Sequence, residues 1–367
     1  MRFVFFADLH LDSAFVWAGA ESGARRRQAL RDVLKNILNL ADEVDADGIL
    51  CAGDLYEHDR YTPDTREFLR QTFAETHRPI YISPGNHDYF GSRSLYAQDI
   101  WPANVTIFQQ PELTPVDLTD GLTLWGAAFT QPTRLNGFLS DGFQVNRGGC
   151  NIALFHGSEE LGIAWESGSK NPYAPFDEQE IEDAGLDHAF VGHFHQPKDE
   201  KYFTYPGNPD PLSFGETGVR GAVIVDISPD GALERERRVV SVSEIHDLEL
   251  DVTGSSSFDD VRDRAAALLS GLGGAARLTV SGVVSPDMEL VPSRLTDVPH
   301  TLDAAPVIRI GSLSVAYDLE EIAQEPTVRG RFVQDVLEES DLDEDSKRRI
   351  LVTGLRALEG REDLEVA

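Results

Sequence analysis

The hydrophobic positions in the first two-thirds of the chain predict short buried strands that alternate with helices. Uninterrupted apolar runs bounded by polar residues, which are typical of buried strands, occupy residues 2–7, 48–52, 79–83, 151–155 and 188–191. Between the first two runs, residues 22–43 carry apolar side chains at helical spacing. Shorter helices are predicted near residues 63–75, 92–98 and 177–184. This alternation predicts an α/β fold with functional loops at the strand ends.

The pattern changes after about residue 240. Strand-like segments at residues 248–252, 277–284 and 307–310 accompany a short amphipathic helix at 257–269, which predicts a small α+β domain. Two helical stretches follow from residue 326, separated by the acidic residues 341–345. We therefore predict a main domain over residues 1–240, an α+β capping domain over 245–325 and a helical C-terminal tail over 326–367.

Composition adds information about the surface. Hydrophobic residues make up 41% of the chain and charged residues 26%, so the chain can bury a core. The 63 acidic residues outnumber the 32 basic ones, and the net charge of -31 excludes a generally basic nucleic-acid coat protein. Only five of the basic residues are Lys. This acid-rich, Lys-poor composition favours a protein of a high-salt cytosol over an ordinary acidic protein.

The sequence has few features that would indicate membrane targeting, a signal peptide or disulfide bonds. No apolar run approaches the ~20 residues of a membrane span, and Asp8 interrupts the first apolar run too early for a signal peptide. We therefore expect a cytoplasmic protein with no membrane association. Cys51 and Cys150 are far apart and lack CxxC spacing, which disfavours a disulfide framework or a cysteine zinc site. Cys51 lies inside a predicted strand and is expected in the core.

Five predicted strands each run into a short segment that carries Asp, Asn or His. These segments are Asp8-Leu9-His10, Gly53-Asp54, Gly85-Asn86-His87-Asp88, His156-Gly157 and Gly192-His193-Phe194-His195. Such side chains are hard or borderline ligands for divalent metals. In DxH and HxH the paired residues are two apart, so an extended backbone would direct both side chains the same way. Each segment alone could be a turn or a surface pair, but five in this order predict a metal centre.

The order DxH, GD, GNHD, H and GHxH resembles that of calcineurin-like metallophosphoesterases, over roughly the first 200 residues. Two further segments resemble the SbcD/YhaO-type DNA repair exonucleases of that superfamily. They are Asp8-Leu9-His10-Leu11-Asp12-Ser13, and Tyr205-Pro206-Gly207-Asn208-Pro209 with Phe214-Gly215-Glu216. Asn208 stands where relatives often carry Ser, but it touches no ligand motif. The resemblance implies a four-layer α/β/β/α sandwich with a small α+β cap.

The same resemblance implies two metal ions with a shared ligand. Asp8, His10, Asp54 and His195 would hold the first, and Asp54, Asn86, His156 and His193 the second, with Asp54 bridging. The implied metal is Mn²⁺, two ions per chain, although the ligand types also suit Fe, Zn, Co or Ni. By resemblance, His87 contacts the scissile phosphate and protonates the leaving 3' oxygen, and Asp88 orients its ring. The alternative is that His87 only stabilises its loop.

The resemblance implies a Mn²⁺-dependent nuclease, a 3'-to-5' exonuclease on duplex DNA with endonuclease activity on single strands. Its implied partners are DNA, an SbcC-like ABC ATPase with a coiled coil, and a second copy of the chain. One alternative is a phosphodiesterase or phosphatase acting on a small molecule or a protein, although GNHD rather than GNHE disfavours Ser/Thr phosphatases. Another is a scaffold whose tail binds the ATPase. The charge of -31 opposes tight autonomous DNA binding, but not the chemistry.

Several other residues have two interpretations. Arg25, Arg26 and Arg27 could meet a phosphate backbone or form a solvated helix face. His58 and Asp59 could line the site or lie in an exposed loop. Surface or packing roles are expected for the remaining isolated histidines, namely His77, His188, His246 and His300.

Overall fold

The computed structural model describes residues 1–134, 136–139, 142–160, 173–228, 231–286, 288 and 290–360. The chain divides into two units, Met1–Ser243 and Glu244–Ala367. The first contains all five predicted ligand segments, and the second contains both the predicted α+β segment and the helical tail. Residues 361–367 of that tail lie outside the described part of the chain.

The first sheet of the first unit has six strands in the order β12-β11-β1-β2-β3-β4. Their bounds are Leu233–Val239, Gly221–Ile227, Arg2–Phe6, Gly48–Cys51, Ile80–Ile82 and Val105–Ile107. Strands β1 to β4 are parallel, with Phe3 opposite Gly48 and Ile49 opposite Ile80. Strands β11 and β12 extend the sheet in antiparallel pairing. The carboxyl ends of β1, β2 and β3 therefore lie at one edge.

The second sheet also has six strands, in the order β5-β6-β7-β8-β10-β9. Their bounds are Thr114–Thr119, Leu122–Gly126, Cys150–His156, His188–Gly192, Phe203–Tyr205 and Lys198–Asp199. The four central strands are parallel, whereas β5 and β9 pair antiparallel at the edges. Strands β7 and β8 are buried along their whole length, which explains their uninterrupted apolar sequences.

The two sheets pack face to face, with Phe3 and Phe5 of the first against Leu124, Leu154 and Phe190 of the second. Helices α1 (Gly19–Glu43) and α2 (Pro63–Glu75) cover the outer face of the first sheet. Helix α3 (Glu178–Asp183) covers the outer face of the second. The predicted four-layer α/β/β/α sandwich is thereby confirmed.

The predicted helix at residues 92–98 is wrong. The segment contains only a three-residue 3-10 turn, Leu95–Ala97. The hydroxyl of Tyr56 accepts the N–H of Leu95, and the carbonyl of Leu95 accepts the Trp101 indole N–H at 3.0 Å. Because these side chains occupy backbone groups that a helix would use, the segment turns once and ends.

The second unit is built on three parallel strands, β13 (Ile245–Asp251), β14 (Ala275–Val284) and β15 (Val307–Val315). Helix α4 (Phe258–Leu269) packs on this sheet through Val261 and Leu269. Three more helices follow, α5 (Leu319–Ala323), α6 (Val328–Glu338) and α7 (Glu344–Glu359). They bury a separate cluster of Ile322, Val333, Leu351 and Leu355.

Across the ranges that the structure describes, none of the helices combines the length and the apolar character that crossing a bilayer requires.

Candidate metal centre

Hydrogen bonds join the ends of strands from both sheets. The N–H of Asp8, after β1, donates to the carbonyl of Gly53, after β2, at 3.0 Å. The N–H of His193, after β8, donates to both carboxylate oxygens of Asp8 at 3.0 and 3.1 Å. His156 at the end of β7 donates from Nδ1 to the carbonyl of Ala52 at 2.8 Å. The predicted ligand segments are therefore brought together at one edge of the sandwich.

Four of the expected ligands have left-handed rather than extended backbone. The φ angles are 55° at Asp8, 51° at His10, 50° at Asp54 and 113° at His193. The expectation of an extended backbone through DxH was therefore wrong, although Asp8 and His10 still meet in one cluster. Such angles are uncommon outside glycine and persist only where the surroundings hold them. Here the N–H of His10 donates to the carbonyl of Asp54 at 2.9 Å.

The first cluster contains Asp8, His10 and His195, whose ligand atoms lie within 4.8 Å of one another. His10 donates from Nδ1 to Glu57 Oε1 at 2.8 Å, because a carboxylate only accepts. Its Nε2 is buried, lies 3.6 Å from Asp54 Oδ2 and has no hydrogen-bond partner among the described residues. A buried ring nitrogen without a partner, beside two carboxylates, fits a bound divalent cation.

The second cluster surrounds His156 Nε2. Asn86 Oδ1 lies 3.0 Å from it, His193 Nδ1 3.2 Å and Asp54 Oδ2 3.3 Å. The same Asp54 oxygen thus faces His10 in the first cluster and His156 in the second. This arrangement fits two cations with a bridging carboxylate, and the individual ligand assignments stay predictions.

The electrostatics of the cluster suit a cation. Burial disfavours a charged His156 ring, but Asp54 outweighs this effect and raises the pKa of His156 to about 9. Burial opposes ionisation of Asp54 as well, yet the charge of His156 and its hydrogen bond hold the pKa of Asp54 well below its usual range. Burial, followed by the charge of His156, lowers the pKa of His193 to about 3. A bound cation would replace the His156 proton as the partner of Asp54.

Glu57 was not foreseen from the sequence, where it stands only as a polar residue three positions after Asp54. Its Oε2 accepts from His87 Nδ1 at 2.9 Å, while its Oε1 accepts from His10. This hydrogen bond raises the pKa of His87 to about 9. Burial would raise the pKa of Glu57, but the hydrogen bonds from the two rings lower it to about 2.

The Asp88 carboxylate makes no hydrogen bond to the His87 ring within the described part of the chain, although it was expected to orient that ring. Its buried carboxylate accepts the backbone N–H groups of Gly85, Asp54 and Leu55 at 2.6, 3.1 and 2.7 Å. It also accepts the hydroxyl of Tyr96 at 2.6 Å. Asp88 therefore shapes the two loops that carry Asp54 and His87, whereas the His87 ring hydrogen-bonds to Glu57.

Glu216 is the corresponding partner of His195. Its Oε1 lies 2.8 Å from His195 Nδ1, and its Oε2 accepts from Asn208 Nδ2 at 2.6 Å. Arg220 donates to Asn208 Oδ1 and to the carbonyl of His195. Asn208, expected to touch no ligand motif, therefore acts on His195 through Glu216. The sequence contained an indication, because Glu216 belongs to a segment that carried the resemblance.

The weaker candidates have mostly structural roles. Arg26 is buried, donates to the carbonyl of Pro211 and lies over the rings of Phe15 and Trp17. It is therefore unavailable to a phosphate backbone. Arg25 pairs with Glu21 on the surface of α1.

Among the histidines, His58 lies beside the site, since its N–H donates to the carbonyl of His87 at 2.9 Å. Asp59 and His77 are exposed, and His188 is buried. Cys51 is a buried free thiol in the core, as expected.

The comparisons with known proteins agree with this geometry. The profile of the calcineurin-like phosphoesterases matches residues 1–197. A relative from Bacillus subtilis, named "Uncharacterized metallophosphoesterase YhaO", is 25% identical over 245 residues. The aligned stretch covers 62% of this chain and 58% of that relative, so it spans little more than half of the relative's length.

Two solved structures are similar at a lower level. A crystal structure from Thermus thermophilus is 15% identical with a TM-score of 0.39, and the match covers 64% of this chain and 98% of that one. A second crystal structure is 10% identical with the same TM-score and coverage. These two similarities are too low to support an inference. With more than half of its residues matched by the profile, and with a cation-compatible centre at the matched strand ends, the chain belongs to the calcineurin-like phosphoesterase family of metal-dependent phosphoester hydrolases.

Proposed function

We propose that this chain is a Mn²⁺-dependent DNA repair nuclease that hydrolyses phosphodiester bonds with two cations. Its activity would be a 3'-to-5' exonuclease on duplex DNA, with endonuclease activity on single strands. The observation that carries the two-cation proposal is the shared oxygen of Asp54, which lies 3.6 Å from His10 Nε2 and 3.3 Å from His156 Nε2.

The proposal assigns the residues around this oxygen to two ligand sets. Asp8, His10, Asp54 and His195 would hold one cation, and Asp54, Asn86, His156 and His193 the other. When bound, such a cation pair supplies an activated hydroxide and Lewis-acid stabilisation of both the attacking and the leaving oxygen. The mixed oxygen and nitrogen donors, with no thiolate, suit Mn²⁺.

The exposure and contacts of His87 support a role for this residue in acting on the substrate. Its side chain is 45% exposed, and Glu57 occupies Nδ1, which leaves Nε2 as the ring atom that can reach a phosphate. The backbone N–H of His87 donates to Asp54 Oδ1 at 2.8 Å, so the residue is kept next to the shared carboxylate. The hydrogen bond to Glu57 raises the pKa of His87 to about 9, which favours the protonated ring that a donor to the leaving oxygen requires.

The DNA substrate rests on the resemblance of the segments at residues 8–13 and 205–216 to the SbcD/YhaO-type exonucleases. The net charge of -31 opposes this assignment, since counterion release contributes little to binding on an acidic surface. In a high-salt cytosol that contribution would be small for any protein, and contact between phosphate and the bound cations would carry most of the affinity.

The test is degradation of end-labelled duplex DNA with and without Mn²⁺, alongside the Asp54→Ala and His87→Ala variants. We expect Mn²⁺-dependent shortening by the wild type, loss of activity in Asp54→Ala and a rate reduced about 10²-fold or more in His87→Ala. Faster turnover of a cyclic nucleotide or a phosphopeptide than of DNA would contradict the nuclease proposal. Retained activity in Asp54→Ala would contradict the shared-ligand mechanism.

A partner ATPase and a homodimer are further proposals. Helices α6 and α7 expose apolar side chains at Val328, Leu337, Ile350 and Leu358, which supports a role of the tail in binding an SbcC-like coiled-coil ATPase. Replacing the exposed Ile350 and Leu358 with Glu is expected to abolish capture of the ATPase. Capture unchanged by both substitutions would contradict this role. Homodimer formation is tested by sedimentation of the purified chain.

A further inference from the structure

We propose that Glu57 is a positioning residue that couples cation binding at the first cluster to the orientation of His87. Its carboxylate hydrogen-bonds to Nδ1 of His10, a predicted metal ligand, and to Nδ1 of His87, the predicted proton donor. The part that concerns His87 rests on the proposed function, whereas the part that concerns His10 rests on the family's metal chemistry.

The two contacts are direct and use separate oxygens. His10 Nδ1 lies 2.8 Å from Oε1, and His87 Nδ1 lies 2.9 Å from Oε2. The two rings are 4.8 Å apart between centroids and nearly perpendicular at 83°. Because both Nδ1 atoms donate to the carboxylate, both Nε2 atoms remain for the cation and the substrate.

The backbone of Glu57 is fixed on both sides. Its N–H donates to the carbonyl of Leu11 at 2.9 Å, and its carbonyl accepts the N–H groups of Arg60 and Tyr61 at 3.0 Å each. Its side chain is 19% exposed. The backbone contacts therefore fix the position from which the carboxylate reaches both rings, so we expect a change in the hydrogen bond to His10 to alter the hydrogen bond to His87.

Glu216 provides a natural comparison within the same site. It contacts the His195 ring, and its other contacts are Asn208, Leu212 and Ser213, none of which is a predicted reacting group. Removing either carboxylate should weaken cation binding, but only Glu57 should also affect His87.

The test compares Glu57→Gln with the wild type. Glutamine keeps the size of the side chain but has one acceptor oxygen, so at most one of the two ring N–H groups keeps its acceptor. We expect Mn²⁺ affinity, measured by titration calorimetry, to fall about 10–100-fold. We expect the cleavage rate to stay about tenfold or more below the wild type even at saturating Mn²⁺.

Combining the substitution with His87→Ala isolates the coupling. In the His87→Ala background, Glu57→Gln should cause no further rate loss at saturating Mn²⁺ while still weakening Mn²⁺ affinity. In the Glu216→Gln, His87→Ala double variant, by contrast, the fold loss in rate should equal the product of the fold losses in the two single variants. A matched control is Glu67→Gln on α2, where the carboxylate accepts hydrogen bonds from Arg70 and Gln71 on the same helix and neither readout should change.

Wild-type Mn²⁺ affinity in Glu57→Gln, or rate losses that multiply in the double variant, would overturn the proposal. If Glu57→Gln unfolds, Glu57→Asp replaces it, because Asp keeps both oxygens but withdraws them by one methylene and should give intermediate losses. A wild type that cuts bis-p-nitrophenyl phosphate but not DNA would contradict the nuclease proposal alone. The Glu57 variants would then be compared on that small diester.

Discussion

At the scale of single residues, the packing around Asp54 and His156 leaves no room for a side chain at two nearby glycines. A Cβ on Gly85 would overlap Asp54 Oδ1 and lie 2.9 Å from His156 Nδ1. A Cβ on Gly192 would overlap the carbonyl of Ala52, the acceptor of the same imidazole. These two glycines therefore admit the shared carboxylate and the His156 ring by having no side chain.

We predict that Gly85→Ala reduces Mn²⁺ affinity and activity at least tenfold, because the added methyl group displaces Asp54. The matched control is Gly215→Ala, since a Cβ there has no atom within 4 Å. Calorimetry with Mn²⁺ and the cleavage rate measure the effect. Equal behaviour of the two variants would show that the site tolerates the methyl group.

A second prediction concerns pH and His188, which lies at the end of β8 opposite to His193. Burial, then the charge of Arg235, lowers the pKa of His188 to about 3, and its Nε2 lies 2.9 Å from Thr204 Oγ1. The unfolded ring binds a proton below about pH 6.5 and the folded ring only below about 3. The unfolded state is therefore favoured as pH falls through this window, by up to about 1.4 kcal/mol per pH unit.

We expect the free energy of unfolding to fall less steeply with acidification in His188→Gln than in the wild type. Glutamine can keep a hydrogen bond to Thr204 and takes up no proton. Denaturant titrations at several pH values between about 6 and 4, with chelator present, give the two slopes. Parallel slopes would contradict the buried, neutral state of His188.

At the scale of elements, helices α5, α6 and α7 depend on a small core of their own. Leu355 is fully buried there with Ile322, Val333 and Leu351. We predict that Leu355→Ala lowers the local free energy of unfolding of α6 and α7 by about 2–5 kcal/mol. Hydrogen exchange of their amides measures this change. Leu358→Ala, at a side chain that is 49% exposed, should have little effect, and equal losses would contradict the packing.

The sequence predicts best those helices and strands whose apolar residues form an uninterrupted run or recur at helical spacing. The run at residues 151–155 lies within β7, and the helical spacing over 22–43 lies within α1. Strand β12 was missed because it is largely exposed and reads Leu-Glu-Arg-Glu-Arg-Arg-Val, which has no apolar alternation. Its arginines reach the second sheet instead, as Arg237 does in donating to the carbonyl of Tyr205.

The site residues likewise fall into those that the sequence predicts and those that it does not. Each predicted ligand sits at a strand end, so the parallel sheet order was enough to bring the segments together. Glu57 and Glu216 could not be found in this way, because their partners His10 and His195 are 47 and 21 positions away. Which carboxylate reaches which imidazole depends on loop geometry. The assignment of Asp88 to the His87 ring failed for this reason.

At the scale of the whole molecule, the charge of -31 must be borne by the folded surface. Self-repulsion of this kind is screened as the Debye length falls from about 10 Å at 0.1 M salt to about 3 Å at 1 M. We predict that the thermal unfolding midpoint rises between these concentrations of KCl. Calorimetry with matched buffers measures the shift. A midpoint that falls or stays constant would contradict repulsion as a destabilising force.

The left-handed backbone at Asp8, His10, Asp54 and His193 has a consequence for any attempt to stabilise this protein. Glycine would adopt these torsion angles with less strain, but at Asp8 and Asp54 it would also remove the carboxylates that accept the N–H groups of His193 and His87. A glycine at any of the four positions would also remove a proposed cation ligand. Substitutions intended to raise the stability of the protein should therefore leave these four residues unchanged.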